Sequence, residues 1–126
     1  MEGALEVCRT LSQSRRLYIL TNGVARTQQA RLEASGLLPY LRRVFVSEEA
    51  GAQKPNGAFF RYVFQRIPDF RPDRALMVGD SLVSDMKGGH DAGVDTCWYN
   101  PKGLPVPQDG TVTWSIGRLE ELLALV

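Results

Sequence analysis

The sequence is poor in the features on which several classes of protein depend. It has two cysteines and one histidine in 126 residues, too few for a disulfide scaffold and not arranged as a metal-binding cluster. Its formal net charge is +1, which indicates neither a nucleic-acid-binding surface nor an acidic tail. No apolar run approaches the ~20 residues needed to cross a bilayer, and the N-terminus lacks a signal-peptide core. We therefore expect a cytoplasmic protein that binds neither a nucleic-acid polymer nor a membrane.

Short apolar runs alternate along the chain with stretches of helical spacing. The runs do not alternate with polar residues, which is typical of parallel strands covered on both faces. They are Leu17–Leu20, Val44–Val46, Ala75–Val78 and Thr96–Tyr99. The predicted helices are Gly3–Ser12, Val24–Ala34, Gly57–Ile67, Ser84–Ala92 and Leu119–Leu125. This order predicts an α/β fold with a parallel sheet, in which the loops after the strands meet at one edge.

The polar residues able to carry chemistry come directly after the first and third predicted strands, with one lysine before a helix. They are Thr21, Asn22, Gly23, Lys54, Asp80 and Asp85. At the carboxyl edge of a parallel sheet they would line one crevice. The sequence therefore predicts hydrogen-bond donors, a cation and two carboxylates in one place.

This set of groups suits phosphoryl transfer. The Thr21 hydroxyl and the Asn22 backbone N–H can donate to phosphate oxygens, and Lys54 can offset their charge. Asp80 offers a hard oxygen ligand for Mg²⁺, which takes one or two carboxylates plus substrate oxygens and water. Asp85 can either support the metal by orienting a bound water or pair with Lys54. We expect a Mg²⁺ site at Asp80 and Asp85 and a phosphate site at residues 21–23 and Lys54.

Three strings in this order resemble motifs of the haloacid dehalogenase superfamily. Leu17–Gly23 resembles motif II, Gly51–Pro55 followed by Phe59 resembles motif III, and Met77–Ser81 with Asp85 resembles motif IV. The chain is most similar to the small-molecule phosphatases that include the noncanonical pyrimidine 5′-nucleotidases. The resemblance implies a three-layer Rossmann-like core. It also implies Mg²⁺-dependent hydrolysis of a small phosphorylated metabolite such as a nucleotide.

One part of the family pattern has no counterpart in this sequence. The resemblance implies an Asp-x-Asp motif after a preceding strand, whose first Asp attacks phosphorus, and then a helical cap; no Asp occurs before Asp69. On this interpretation residues 1–126 form a single partial core domain, with little or no phosphatase activity alone. The family's nucleophile strand lies between the strands at Leu17–Leu20 and Ala75–Val78. We expect these two strands to pair directly, or a second copy or partner chain to fill the gap.

Two other functions fit parts of the sequence. The chain could be a non-catalytic module that binds phosphate or Mg²⁺, or one that dimerises through open strand edges. The string Gly79–Leu82 also spells the signature of an unrelated esterase family with a serine nucleophile. That function needs a base for Ser81, and the one histidine, His90, is not placed as that family requires.

Several candidate residues also have purely structural interpretations. Asp80 would serve as a helix N-cap, a position that aspartate favours, and Lys54 as an exposed loop residue. His90 is expected on a helix surface. Cys97 and Trp98 are expected in the core, since both lie in the last apolar run.

Overall fold

The protein, here a computed structural model that describes residues 3–126, alternates short strands with short helices. The strands are β1 (Tyr18–Thr21), β2 (Arg43–Val46), β3 (Leu76–Gly79), β4 (Asp95–Tyr99) and β5 (Trp114–Ile116). The α-helices are α1 (Ala4–Leu11), α2 (Ala25–Ser35), α3 (Ser47–Ala50), α4 (Gly57–Phe64), α5 (Gly88–Asp91) and α6 (Leu122–Leu125). A π-helix spans Leu82–Lys87, and 3₁₀-helices span Leu38–Tyr40, Pro72–Arg74 and Leu119–Glu121. All strand pairs are parallel, which confirms the predicted fold class. Within residues 3–126 no helix is long and apolar enough to span a membrane.

The described chain divides into two compact units, residues 3–53 with 119–126 and residues 54–118. The expectation of a single partial domain over residues 1–126 stays a prediction.

Every predicted strand is present with each end within one residue of the expected position. Four elements within residues 3–126 were not predicted: the short helix α3, the strand β5 and the 3₁₀-helices at Leu38–Tyr40 and Pro72–Arg74.

The first unit contains a two-stranded parallel sheet, in which Tyr18 of β1 pairs with Arg43 of β2 and Thr21 pairs with Val46. Phe45 is buried. Buried apolar residues of this unit are Val7, Leu32, Phe45, Val46, Leu119 and Leu122. Helix α2 ends at Gly36, whose φ of 77° is readily adopted only by glycine. All four residues of β1 pair with β2, so the loop after β1 begins at the end of a fully paired strand.

The second unit contains a three-stranded parallel sheet with β4 between β3 and β5. Gly79, the last residue of β3, pairs with Trp98, and Cys97 pairs with Trp114 of β5. Helix α4 begins after Asn56, whose side chain accepts a hydrogen bond from the Ala58 N–H at 2.8 Å. The buried apolar residues of this unit include Phe59, Phe60, Val63, Met86, Cys97, Trp98 and Ile116. These buried residues stabilise the paired strands β3 and β4, and so support the loop that follows β3.

The expectation that the first and third strands pair directly is wrong. In the part of the chain that the structure describes, β1 pairs with β2 and β3 pairs with β4, in different sheets. The expectation counted every unpaired backbone group as buried. An edge strand instead needs one paired side, because its other edge can be hydrated or covered by another segment. That a second copy or a partner chain fills the gap stays a prediction.

Candidate active site

Lys54 and Asp85 form a buried ion pair in the second unit. Lys54 Nζ donates to Asp85 Oδ1 at 2.6 Å, and their side chains are 11% and 7% exposed. The other carboxylate oxygen, Oδ2, accepts a hydrogen bond from the Ser81 backbone N–H at 3.2 Å. Of the two roles expected for Asp85, pairing with Lys54 is confirmed. The interpretation of Lys54 as an exposed loop residue is wrong, because its side chain is buried. The Asp85 carboxylate compensates the cost of burying the ammonium.

A π-helix turn places the Asp85 carboxylate beside the loop after β3. The backbone N–H groups of Asp85 and Met86 both donate to the Ser81 carbonyl at 3.1 Å. The bond from Met86 spans five residues and widens the turn, a feature that is rare and often found at functional sites. Ser81 Oγ accepts a hydrogen bond from the Ser84 N–H at 3.0 Å, so Ser81 caps this helix. The interpretation of Asp80 as the N-cap is therefore wrong, because the next residue takes that position.

Asp80 lies directly after β3 and is exposed. Its backbone carbonyl accepts a hydrogen bond from Trp98 Nε1 at 3.1 Å. Within residues 3–126 its carboxylate forms no hydrogen bond or ion pair with the protein. Asp80 and Asp85 therefore differ in environment: the carboxylate of Asp85 is held by the protein, whereas that of Asp80 is open to a ligand.

The phosphate-binding candidates Thr21, Asn22 and Gly23 belong to the first unit; Thr21 is the last residue of β1, and Asn22 and Gly23 lie in the loop between β1 and α2. Thr21 and Asn22 are half-buried and Gly23 is exposed. The Thr21 hydroxyl donates to the Asn22 carbonyl at 3.3 Å, and Gln28 Nε2 donates to the same carbonyl at 3.4 Å. That this loop shares a crevice with Lys54 and Asp80 stays a prediction.

Two residues of helix α3 hold this loop and were missed in the sequence. Ser47 Oγ accepts a hydrogen bond from the Gly23 N–H at 2.8 Å and donates to the Gly23 carbonyl at 3.2 Å. Glu48 Oε1 accepts a hydrogen bond from the N–H of Ala25, the first residue of α2, at 3.3 Å. A carboxylate at that end of α2 suits the positive end of the helix dipole. A Ser-Glu pair directly after an apolar run resembles a helix start, and this signal was available.

The sequence pattern of the haloacid dehalogenase-like hydrolases matches residues 1–93 of this chain. The chain belongs to this hydrolase family.

Three bacterial relatives in the haloacid dehalogenase-like family illustrate the match. YfnB of Bacillus subtilis is 48% identical over 122 residues, which are 97% of this chain and 52% of YfnB. The pyrimidine 5′-nucleotidase PynA of Streptococcus pneumoniae is 42% identical over 107 residues, 85% of this chain and 45% of PynA. The pyrimidine 5′-nucleotidase YjjG of Escherichia coli is 36% identical over 126 residues, 100% of this chain and 56% of YjjG. The chain thus spans about half the length of these curated relatives.

The fold resemblance is equally close. The crystal structure of YfnB bound to magnesium superimposes with a TM-score of 0.96 at 47% identity. The match covers 99% of this chain and 55% of the YfnB chain. It confirms the predicted resemblance to the Rossmann-like hydrolases of this family.

The other candidate residues of this haloacid dehalogenase-like chain have structural positions. Cys97 and Trp98 are buried and belong to the core, as expected. His90 is exposed on α5, also as expected. Ser81 uses its hydroxyl oxygen to cap the π-helix, and this role accounts for the serine in the esterase-like string.

The residues of the second unit fit a magnesium ion only in part. Across residues 3–126 there is no group of three histidine, cysteine, aspartate or glutamate residues that could hold a metal. Mg²⁺ in proteins keeps several waters and is often bound through one or two carboxylates plus substrate oxygens. The exposed Asp80 is suited to be one such carboxylate ligand. Asp85 is suited to support the site without binding the metal, since both of its oxygens already accept hydrogen bonds.

Proposed function

We propose that this chain supplies part of the active site of a Mg²⁺-dependent hydrolase of phosphate monoesters, with nucleotides as the substrate class. Membership of the haloacid dehalogenase-like hydrolases supports the reaction type. The names of PynA and YjjG, both pyrimidine 5′-nucleotidases, support the substrate class. The name of the YfnB structure, bound to magnesium, supports the metal.

The proposed roles follow from the burial and the partners of each side chain. Asp80 would be a metal ligand, because its carboxylate is exposed and forms no bond to the protein within residues 3–126. A magnesium ion held there would offset the negative charge of the phosphoryl group. Lys54 carries a positive charge near the same loop, and Asp85 fixes its ammonium at 2.6 Å. Asp85 would thus support the metal site from behind while keeping Lys54 in one position.

The loop after β1 would bind the phosphate group. The Asn22 backbone N–H is a donor of the kind that phosphate oxygens accept, and the Thr21 hydroxyl would become one by turning away from the Asn22 carbonyl, to which it donates at 3.3 Å. Gly23 brings the backbone close to any ligand, because it has no side chain and has a φ of 143°. Two hydrogen bonds, one donated by the Gly23 N–H to Ser47 Oγ and one donated by Ser47 Oγ to the Gly23 carbonyl, stabilise this loop. A held loop binds phosphate without first losing conformational entropy.

We also propose that the chain is catalytically incomplete by itself. Covalent phosphoryl transfer by a carboxylate needs a carboxylate placed to attack phosphorus. The first aspartate in the sequence is Asp69, and of those near the proposed site Asp85 is engaged by Lys54 and Ser81. In this proposal Asp80 is assigned to the metal, which leaves the attack on phosphorus without an assigned carboxylate. The nucleophile would therefore come from residues outside this stretch.

The exposed Asp80 beside the buried Lys54–Asp85 pair is the observation that carries the proposal. The test uses a hybrid in which this chain replaces the matched 107-residue segment of PynA. The hybrid should hydrolyse uridine 5′-monophosphate with Mg²⁺ and not with EDTA. Asp80→Asn in the hybrid should lower kcat/KM by about 100-fold or more, the scale of losing one group that stabilises transition-state charge.

The matched control is Asp95→Asn. Asp95 is exposed at the start of β4 and pairs with Leu76 at the start of β3. It therefore lies at the opposite end of the strands from Asp80, four residues or roughly 13 Å away at ~3.3 Å per residue. The 126-residue chain alone should show no turnover, and turnover there would overturn the proposed incompleteness. A folded hybrid without activity would overturn the hydrolase proposal and favour the non-catalytic module.

The expected location and partners are part of the same proposal. A cytoplasmic enzyme acting on a small phosphorylated metabolite is consistent with a sequence that has two cysteines in 126 residues. The proposal includes a second copy or a partner chain that pairs with the outer edge of β1 or β3. Light scattering on the purified chain measures this, and a monomer at all concentrations would argue against a second copy.

A further inference from the structure

Trp98 ties the core of the second unit to the residue proposed to bind the metal. It lies in β4, is 3% exposed, and pairs in register with Gly79 of β3. Asp80 is the next residue, where the backbone pairing of β3 with β4 stops. At this position the Trp98 indole N–H donates to the Asp80 carbonyl at 3.1 Å. A side chain thus continues the hydrogen bonding of the sheet one residue beyond its backbone ladder.

Consecutive backbone groups of this loop are all held by the protein. Trp98 holds the carbonyl of Asp80, and Asp85 Oδ2 holds the N–H of Ser81 at 3.2 Å. The Ser81 carbonyl accepts from Asp85 and Met86 at 3.1 Å. The bonds fix the backbone on both sides of the Asp80–Ser81 peptide. They leave the Asp80 carboxylate as the group of this segment that is exposed and not bonded within residues 3–126.

We propose that Trp98 is a positioning residue for the Asp80 carboxylate, acting through its indole N–H on the Asp80 backbone. This inference rests on the proposed function, because it assigns Asp80 as the metal ligand. A ligand held in one place binds a metal more tightly, since less conformational entropy is lost on binding. The bond is chemically specific, because phenylalanine would fill much of the same core space and carries no donor.

The experiment compares the two tryptophans of the chain. Trp98→Phe removes the donor to Asp80. The matched control is Trp114→Phe. Trp114 is 39% exposed and lies in β5, which is separated from β3 by β4. Mg²⁺ binding to the purified chain is followed by calorimetry and by the two ¹⁵N-labelled indole resonances. Trp98→Phe should weaken Mg²⁺ affinity by about tenfold, the usual lower scale for residues that orient a metal ligand, and Trp114→Phe should leave it unchanged.

A second variant separates hydrogen bonding from packing. Benzothienylalanine at position 98 keeps the size of the indole and replaces its N–H with sulfur. It should weaken Mg²⁺ affinity as much as Trp98→Phe does, with a smaller change in unfolding free energy. If the chain that carries benzothienylalanine at position 98 binds Mg²⁺ as tightly as the native chain, Trp98 acts by packing alone and the proposal is overturned.

The outcomes also separate this inference from the function on which it rests. If the native chain binds Mg²⁺, Asp80→Asn abolishes binding and Trp98→Phe has no effect, the positioning role is wrong and the metal site stands. If the native chain does not bind Mg²⁺, the same comparison is made in the PynA hybrid. If Asp80→Asn binds Mg²⁺ as tightly as the unsubstituted protein, the assignment of Asp80 as ligand is wrong. The positioning role then falls with it.

Discussion

The carboxylate of Asp85 packs against the backbone of Gly79, in the space that a β-carbon on residue 79 would take. A Cβ built there would lie 2.1 Å from Asp85 Oδ2 and 2.5 Å from Asp85 Cβ. The carboxylate cannot turn away freely, because it accepts hydrogen bonds from Lys54 and from the Ser81 N–H. The need for glycine at the end of β3 thus comes from the buried ion pair.

We therefore expect Gly79→Ala to lower the free energy of unfolding by about 1–3 kcal/mol, the usual cost of overpacking a well-filled site. Urea denaturation measures this. The matched control is Gly57→Ala at the start of α4, where the nearest atom to a new Cβ is Arg61 Nη1 at 3.3 Å. That atom ends a flexible side chain, so Gly57→Ala should be neutral or slightly stabilising. If Gly79→Ala is as stable as Gly57→Ala, the Asp85 carboxylate has another position of equal energy.

The Lys54–Asp85 pair makes a second prediction. Lys54→Met should lower the free energy of unfolding by about 3 kcal/mol, because it leaves a buried carboxylate without its cation. In a chain that already carries Asp85→Asn, the same substitution should cost less, since a neutral amide does not need the cation. The difference between the two costs should be about 1–3 kcal/mol in a double-mutant cycle.

An exposed pair provides the comparison for this cycle. Lys87 Nζ donates to Asp91 at 2.9 Å, but both side chains are more than half exposed, at 58% and 55%. Lys87→Met should therefore leave the unfolding free energy unchanged within error. Costs of similar size at positions 54 and 87 would mean that burial of the Lys54–Asp85 pair has little energetic effect.

The sequence predicted those strands whose own residues determine their burial. β1 to β4 are apolar runs, and each was found within one residue at each end. β5 was missed because it has three residues, of which Trp114 and Ser115 are exposed. Distant partners stabilise it: Thr96 of β4 bonds through its N–H and hydroxyl to Thr113 just before β5. No local pattern reports such contacts.

The same distinction applies to the candidate site. Asp80 and Lys54 were identifiable because a carboxylate after a strand and a lysine before a helix suggest a site directly. The choice between two roles for Asp85 needed the three-dimensional contact with Lys54, which is 31 residues away. Ser47 was missed because its two bonds to Gly23 join residues 24 positions apart. The expected pairing of β1 with β3 was wrong. The free-energy cost of an unpaired strand edge does not determine whether another strand or solvent provides the hydrogen bonds to its backbone groups.

The contact between Ser47 and Gly23 makes a third prediction. Ser47→Ala removes an acceptor for the Gly23 N–H and a donor to the Gly23 carbonyl. We expect a loss of about 1 kcal/mol in unfolding free energy, since the loop is exposed and water can replace part of both bonds. Amide hydrogen exchange at Gly23 should become faster. The control is Ser14→Ala, an exposed serine after α1, which should change neither quantity. Unchanged exchange at Gly23 in Ser47→Ala would show that the loop is held without this hydroxyl.

The two thiols should differ in reactivity, and one of them should make stability depend on pH. Partial burial raises the pKa of Cys8 in α1 above its ordinary value of 9.0, because burial disfavours the thiolate. Cys97 is fully buried. Iodoacetamide should therefore modify Cys8 in the folded chain more slowly than in urea, and Cys97 only on unfolding. Peptide mass spectrometry of the alkylated chain distinguishes the two sites.

The direction of the pH effect follows from the raised pKa. Above about pH 9 the unfolded chain loses the Cys8 proton first, so the folded state binds more protons and stability falls as the pH rises. The slope should begin near the ordinary thiol pKa and end above the raised pKa of folded Cys8. Cys8→Ser should remove this part of the slope, because serine does not ionise in that range. Cys97 is present in both chains, so the difference between their slopes reports Cys8 alone. An equal slope in Cys8→Ser would mean that another group governs stability at alkaline pH.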